Sequence, residues 1–187
     1  MHLLGVVASS YLKNTASFNS ISTTTIGAGG GSVIFNVIPQ TYKHLQLRVL
    51  YRATSSQYNS GGFRMRLNGD TNANYSWHYL YGNGSTIGSQ GFANQTEISI
   101  SEGPTATSPA SVFGVGIIDI LDYTNTNIYK TTRHLAGYNT QGSQTDYIMF
   151  STGNYRSTSA ISSLTVFYAL TDPNLAQYSS FALYGIS

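Results

Sequence analysis

The sequence has no cysteine among its 187 residues. That absence excludes disulfide stapling, thiol catalysis and Cys-ligated zinc or iron sites. Charge is scarce as well. Asp, Glu, Lys and Arg make up 9% of the chain, where roughly 25% is usual. Nine Lys plus Arg against seven Asp plus Glu leave a net charge of +2. This is too weak to hold nucleic acid by neutralising phosphates, and no nucleic-acid partner is expected. So little charge does little to keep copies apart in solution, and it suits a protein docked to a partner or to itself. The prolines, at 39, 104, 109 and 173, all fall between expected strands, where a missing N–H does no damage. Sustained helical periodicity is missing too.

Long apolar runs are also lacking. Residues 2–9 hold a short one, with Leu3, Leu4, Val6 and Val7. It has no basic leader and is too short to span a bilayer, so neither a signal peptide nor a membrane partner is expected. A polar stretch follows it, and no hairpin partner stands beside it. We expect an arm that lies on a neighbouring subunit, making Leu3, Leu4, Val6 and Val7 candidate interface residues.

What is present is apolar enough to fold: 41% of residues are hydrophobic, which argues against disorder. Ser, Thr, Asn and Gln carry the surface, with 19 Gly and 15 Tyr. Exposed Tyr offers large amphipathic contact area at low entropic cost, suiting a polar interface or a glycan. Tyr also simply fills sandwich edges.

Period two dominates the chain. Over residues 44–54, Leu45, Leu47, Val49, Tyr51 and Ala53 alternate with a more polar set. Over 63–68, Phe63, Met65 and Leu67 alternate with Arg64, Arg66 and Asn68. Further strands are expected at 21–26, 32–38, 75–81, 96–100, 111–121, 128–138, 146–151, 161–170 and 181–186. About ten or eleven strands joined by Gly-, Asn- and Ser-rich turns point to an all-β, jelly-roll-like two-sheet β-sandwich. Residues 1–20 are assigned to the arm and 21–187 to the sandwich. Segments 81–95 and 102–110 read as long loops.

Chemistry is hard to find. The four His lie on different segments without metal-ligand spacing, so no metal or cofactor is expected. Seven carboxylates show no paired arrangement of the kind glycoside hydrolysis needs. No G-x-S-x-G elbow occurs, and the Gly runs at 27–31 and 82–84 are not followed by helices. Catalysis is not expected. The loop at 70–74 is oxygen-rich, but it reads as an Asx turn because it lacks the spaced carboxylates of a calcium loop.

Two constellations stand out. Arg48, Arg52, Arg64 and Arg66 alternate on the polar faces of two consecutive strands. If those strands pair, the guanidiniums line one patch, facing a partner's carboxylates, pairing internally with Asp119, Asp122 or Asp146, or, as a weaker third option, binding the anionic groups of a glycan. The second is the Tyr-rich segment holding Trp77, Tyr79, Tyr81 and Asn83, a candidate contact loop for sugars. Trp77 fits a core position as well as a ligand platform.

Four strings carry a resemblance: STTTIGAGGGSVIFNVIPQTYKHLQLR, FRMRLNGDTNANYSWHYLYGNGS, VFGVGIIDILDYTNTNIYKTTR and the terminal YSSFALYGIS. They resemble a family of tailed-bacteriophage virion proteins whose β-sandwich ends in an F-x-L/I-Y-G-I strand. The similarity spans about residues 20–187. It implies a virion-surface location. Related domains are capsid decoration (cement) proteins in some phages and tail-fibre or baseplate receptor-binding tips in others. With only some twenty residues before the sandwich and no shaft, collagen-like or heptad region, a head decoration protein is the first expectation. The resemblance further implies a homotrimer stapled to the major capsid protein. The alternative is a tail domain that binds host surface glycans.

Overall fold

In the computed structural model, the described residues are 17–56, 62–140, 146–169 and 175–187. The expected arm, with Leu3, Leu4, Val6 and Val7, lies outside them. Among the described residues the chain forms strands only: β1 (Phe18–Thr25), β2 (Ser32–Phe35), β3 (His44–Tyr51), β4 (Phe63–Leu67), β5 (Tyr75–Gly82), β6 (Ile87–Gln95), β7 (Ile98–Ser101), β8 (Gly114–Ile120), β9 (Lys130–Tyr138), β10 (Tyr147–Tyr155), β11 (Leu164–Tyr168) and β12 (Ser180–Ile186). The protein is an all-β, two-sheet antiparallel sandwich.

One sheet runs β1-β12-β3-β8-β9-β10-β5-β6 and the other β2-β11-β4-β7. Eight strands pair in a nested way: β1 with β12, β2 with β11, β3 with β8 and β4 with β7. Successive pairs alternate between sheets. The β5–β6 and β9–β10 hairpins are insertions in this scheme, and both extend the larger sheet beyond β8.

Three expectations need correction. Segment 81–95 is not a loop, because β6 occupies most of it. Its period-two signal is absent because both faces of this edge strand are largely exposed, so no face selects apolar residues. The sandwich begins at Phe18, ahead of the expected boundary at residue 21, and β10 continues to Tyr155 instead of stopping at 151. The 102–110 segment contains no strand, as expected.

The core follows the alternation read from the sequence. Leu45, Leu47, Val49 and Tyr51 of β3 and Phe63, Met65 and Leu67 of β4 are all buried. Leu47 stands in register between Leu183 of β12 and Ile118 of β8, all fully buried. The Tyr51 ring packs where a side chain on Gly103 or Gly114 would collide with it, at 2.5 and 2.6 Å. Its hydroxyl donates to the Glu102 carbonyl at 3.0 Å, which pins the chain after β7. The Arg52 guanidinium holds the next stretch by donating to the carbonyls of Ser108, Pro109 and Val112.

The interior turns polar under β9. Lys130, Thr132 and His134 are fully buried there. The Lys130 ammonium donates to the carbonyls of Asn125, Ile128 and Thr158. His134 sits between Thr132 Oγ1 at 2.8 Å and Ser151 Oγ at 3.1 Å. Burial disfavours its cation and holds its pKa down at about 4, against an ordinary 6.5.

Two outcomes follow. Leu47→Ala should lose about 2–5 kcal/mol of stability through lost burial and the cavity it leaves, read by chemical denaturation. An unchanged midpoint would place Leu47 on the wrong face. For His134, the unfolded chain takes up a proton as pH falls through about 6.5 while the folded one resists until about 4. Stability should therefore rise with pH across that window, by about 3 kcal/mol in all. His134→Gln should flatten this slope in melts recorded from pH 4 to 7, whatever it does to the absolute stability.

Candidate functional site

The arginines do not form a patch. β3 and β4 are consecutive in sequence but belong to different sheets, so the pairing that would have aligned them does not exist. Arg48 projects from the larger sheet, with its Cζ 5.2 Å from the Phe18 ring centroid and 4.9 Å from that of Tyr184. Arg52 is consumed by the loop carbonyls described above. Arg64 donates to Ser99 Oγ at 2.6 Å and lies 3.9 Å from the Glu102 carboxylate. Arg66 pairs with Glu97 at 2.9 Å and covers the Phe167 ring. The acids involved are Glu97 and Glu102, not the expected Asp119, Asp122 or Asp146. Asp119 is instead engaged by Arg133 at 2.7 Å and by Gln46.

The Asp70 loop is an Asx turn: Asp70 Oδ1 accepts from the Asn72 N–H at 2.8 Å. Among the described residues no group of three or more His, Asp or Glu could hold a metal ion.

Two surfaces remain as candidates. The first is the outer face of the larger sheet. One cross-strand row reads Arg48, Ile117, Leu135, Phe150 and Leu80. The next reads Leu50, Val115, Gly137, Ile148, Gly82 and Ile87. The eight large apolar side chains in these rows are each at least 40% exposed. At roughly 150–250 Å² for a large side chain, they present on the order of 650–1,100 Å². That matches one side of a standard interface, about 800 Å², and exceeds the roughly 300–600 Å² largest patch of a typical monomer. Gly137 leaves a dent in the row, and a Cβ there would come within 2.6 Å of the Tyr147 carbonyl oxygen. The dent opens into an apolar groove of about 760 Å³ bounded by Val115, Leu135 and Ile148.

The second surface lies on the opposite side of the same sheet, where β5 and β6 reach past the smaller sheet. Trp77, Tyr79 and Tyr81 alternate along β5 on the face of buried Tyr75. Trp77 stacks on Phe92 of β6 with centroids 4.1 Å apart and on Tyr79 at 5.6 Å. Tyr81 meets Tyr147 of β10 at 5.7 Å. The sequence places Trp77, Tyr79 and Tyr81 both in a strand at 75–81 and in a contact loop. They stand on a strand, because their neighbours on β6 and β10 pair with β5 along its length. Asn83 is separate from them: its Oδ1 caps the β5–β6 turn by accepting from the N–H groups of Ser85 and Thr86.

Between Tyr79, Tyr81, Gln90, Glu102, Tyr147 and Met149 lies a smaller cleft of about 190 Å³. The Glu102 side chain is 25% exposed. Desolvation pushes its carboxyl above the ordinary range, and the Arg64 charge offsets part of that.

Sequence reasoning missed Phe92, Gln90, Glu102 and Tyr147, and the whole apolar outer face. The outer face did leave a signal. The string VFGVGIIDI and the run Ile148, Met149 and Phe150 put apolar residues on both phases of an antiparallel strand, where one-sided alternation is usual.

No protein-family model matches the chain, and neither does any curated protein or solved structure.

Proposed function

We propose that this chain is a non-catalytic structural protein of a tailed-phage virion, a head decoration protein that works by docking. The observation that carries the docking role is the apolar outer face of the larger sheet, which has the area of an interface and no covering element among the described residues. The phage assignment rests on the four sequence strings. The nested strand pairing supports a jelly-roll reading of the sandwich, since each half of a folded-over double strand lies antiparallel to the other.

The occupant of the apolar face is another copy of this chain. A charged partner would find little to bind there, because Arg48 at the rim is the only charge in the two rows. The net charge of +2 sets up little repulsion between copies. Three copies turned toward a common axis bury the patch in a closed ring. Contact with the major capsid protein falls to the remaining surface. Binding only the assembled shell then stabilises that shell by mass action.

The protein should run as a trimer by light scattering. Leu135→Lys with Ile148→Glu, at two exposed positions in the patch, should yield folded monomers with a near-native melting temperature. A wild-type monomer at all concentrations, or a double variant that stays trimeric, would overturn the self-docking reading. On the virion, averaged density reconstruction should show the protein in regular array on the head. Density confined to tail or baseplate would overturn decoration in favour of a receptor-binding domain.

A further inference from the structure

We propose that the cleft between β5, β6, β10 and the Glu102 segment is a saccharide subsite that takes one neutral sugar ring. Its size is the first reason. A volume of about 190 Å³ is below the roughly 300–1,000 Å³ of drug-sized sites and suits a single pyranose. Its lining is the second. Tyr79, Tyr81 and Tyr147 supply aromatic surface for the C–H face of a sugar, which is the pairing Tyr makes at low entropic cost. The Tyr81 ring lies against Gly88, where any Cβ would come within 2.6 Å of it, so the ring's position is built into β6.

The polar groups are the third reason. The only side-chain partner of the Glu102 carboxylate among the described residues is Arg64 at 3.9 Å, beyond hydrogen-bond distance. The side chain is a quarter exposed, so its oxygens are accessible to sugar hydroxyls, which donate. Gln90 accepts from the Tyr79 hydroxyl through Oε1 at 2.6 Å, which leaves its amide nitrogen to donate to a sugar oxygen. Acceptor, donor and ring face converge from separate segments.

Charge decides against other ligands. Three tyrosines and a carboxylate also describe a cage for a quaternary ammonium, but the Arg64 guanidinium already balances Glu102 and lies over the Trp77 ring, 5.6 Å from its centroid. An anion would meet Glu102 directly. A neutral polyol satisfies the groups without adding charge.

The test is saturation-transfer NMR and calorimetry on the full chain. The probes are methyl pyranosides of galactose, glucose, mannose and N-acetylglucosamine, with choline as the cationic comparator. At least one glycoside should bind saturably. Tyr81→Ala and Glu102→Gln should each weaken it by about tenfold or more, while Glu97→Gln, an acid outside the cleft, leaves it unchanged. Melting curves show whether the variants remain folded; should Tyr81→Ala unfold, Tyr81→Leu tests the ring instead. No saturable glycoside binding, preference for choline, or wild-type affinity in Glu102→Gln would each overturn the proposal.

Discussion

Eight strands face four across this sandwich, and that mismatch governs most of what the molecule offers to its surroundings. Four strands cannot cover eight, so the inner face of the larger sheet changes character along its width. Over β12, β3 and β8 it is apolar and sealed, with Leu183, Leu47 and Ile118 in one row. Under β7 it is polar, with His134 bonded to both Thr132 and Ser151. Past β7 it has only partial cover, and there Trp77, Tyr79 and Phe92 stack on each other instead. Aromatic rings suit that position because each carries both apolar area and, in Trp and Tyr, a polar edge that tolerates water.

The nested pairs β1·β12, β2·β11, β3·β8 and β4·β7 account for both sheets of the sealed region. The two inserted hairpins, β5–β6 and β9–β10, add Tyr75 and Tyr155 to the core and contribute much to both candidate surfaces. They supply Leu80, Leu135, Ile148 and Phe150 on one side and the tyrosine cleft on the other. A scaffold that folds on its eight nested strands is free to vary such additions. The cleft is nonetheless tied to the core, because buried Tyr51 holds the backbone of Glu102 through its hydroxyl.

How much of this could be read from residues alone depends on whether burial left a pattern. β3 and β4 were legible because one face of each is sealed, so Leu47 and Met65 had to alternate with polar neighbours. β6 was not, because neither of its faces is sealed and IGSQGFANQ shows no period. The arginine patch failed for a different reason. Alternation fixes the face of a strand but says nothing of which sheet it joins, and the crossover from β3 to β4 sends Arg48 and Arg64 to different sheets. The cleft escaped notice because Glu102 and Tyr147 are distant in sequence from β5 and approach it only through the β5–β10 pairing and the Tyr51 anchor.

β9 shows how such a sheet can afford an apolar outside. Its inward positions are Lys130, Thr132, His134, Ala136 and Tyr138, and Leu135 points out. A one-residue slip would exchange the two faces, bringing Leu135 inside but taking Arg133 in with it and turning Ala136 and Tyr138 out. The polar contacts oppose it. A slip would strip the Lys130 ammonium of its three carbonyl acceptors and break the His134 bonds to Thr132 and Ser151. Each buried polar group left without its partner costs roughly 1–3 kcal/mol, more for the ammonium, against about 1.5–3 kcal/mol for burying one Leu. Register is therefore set from within by specific hydrogen bonds, and the outer face is released from having to be polar in order to be outside. That release is what lets Ile117, Leu135 and Phe150 form a continuous apolar row on the surface.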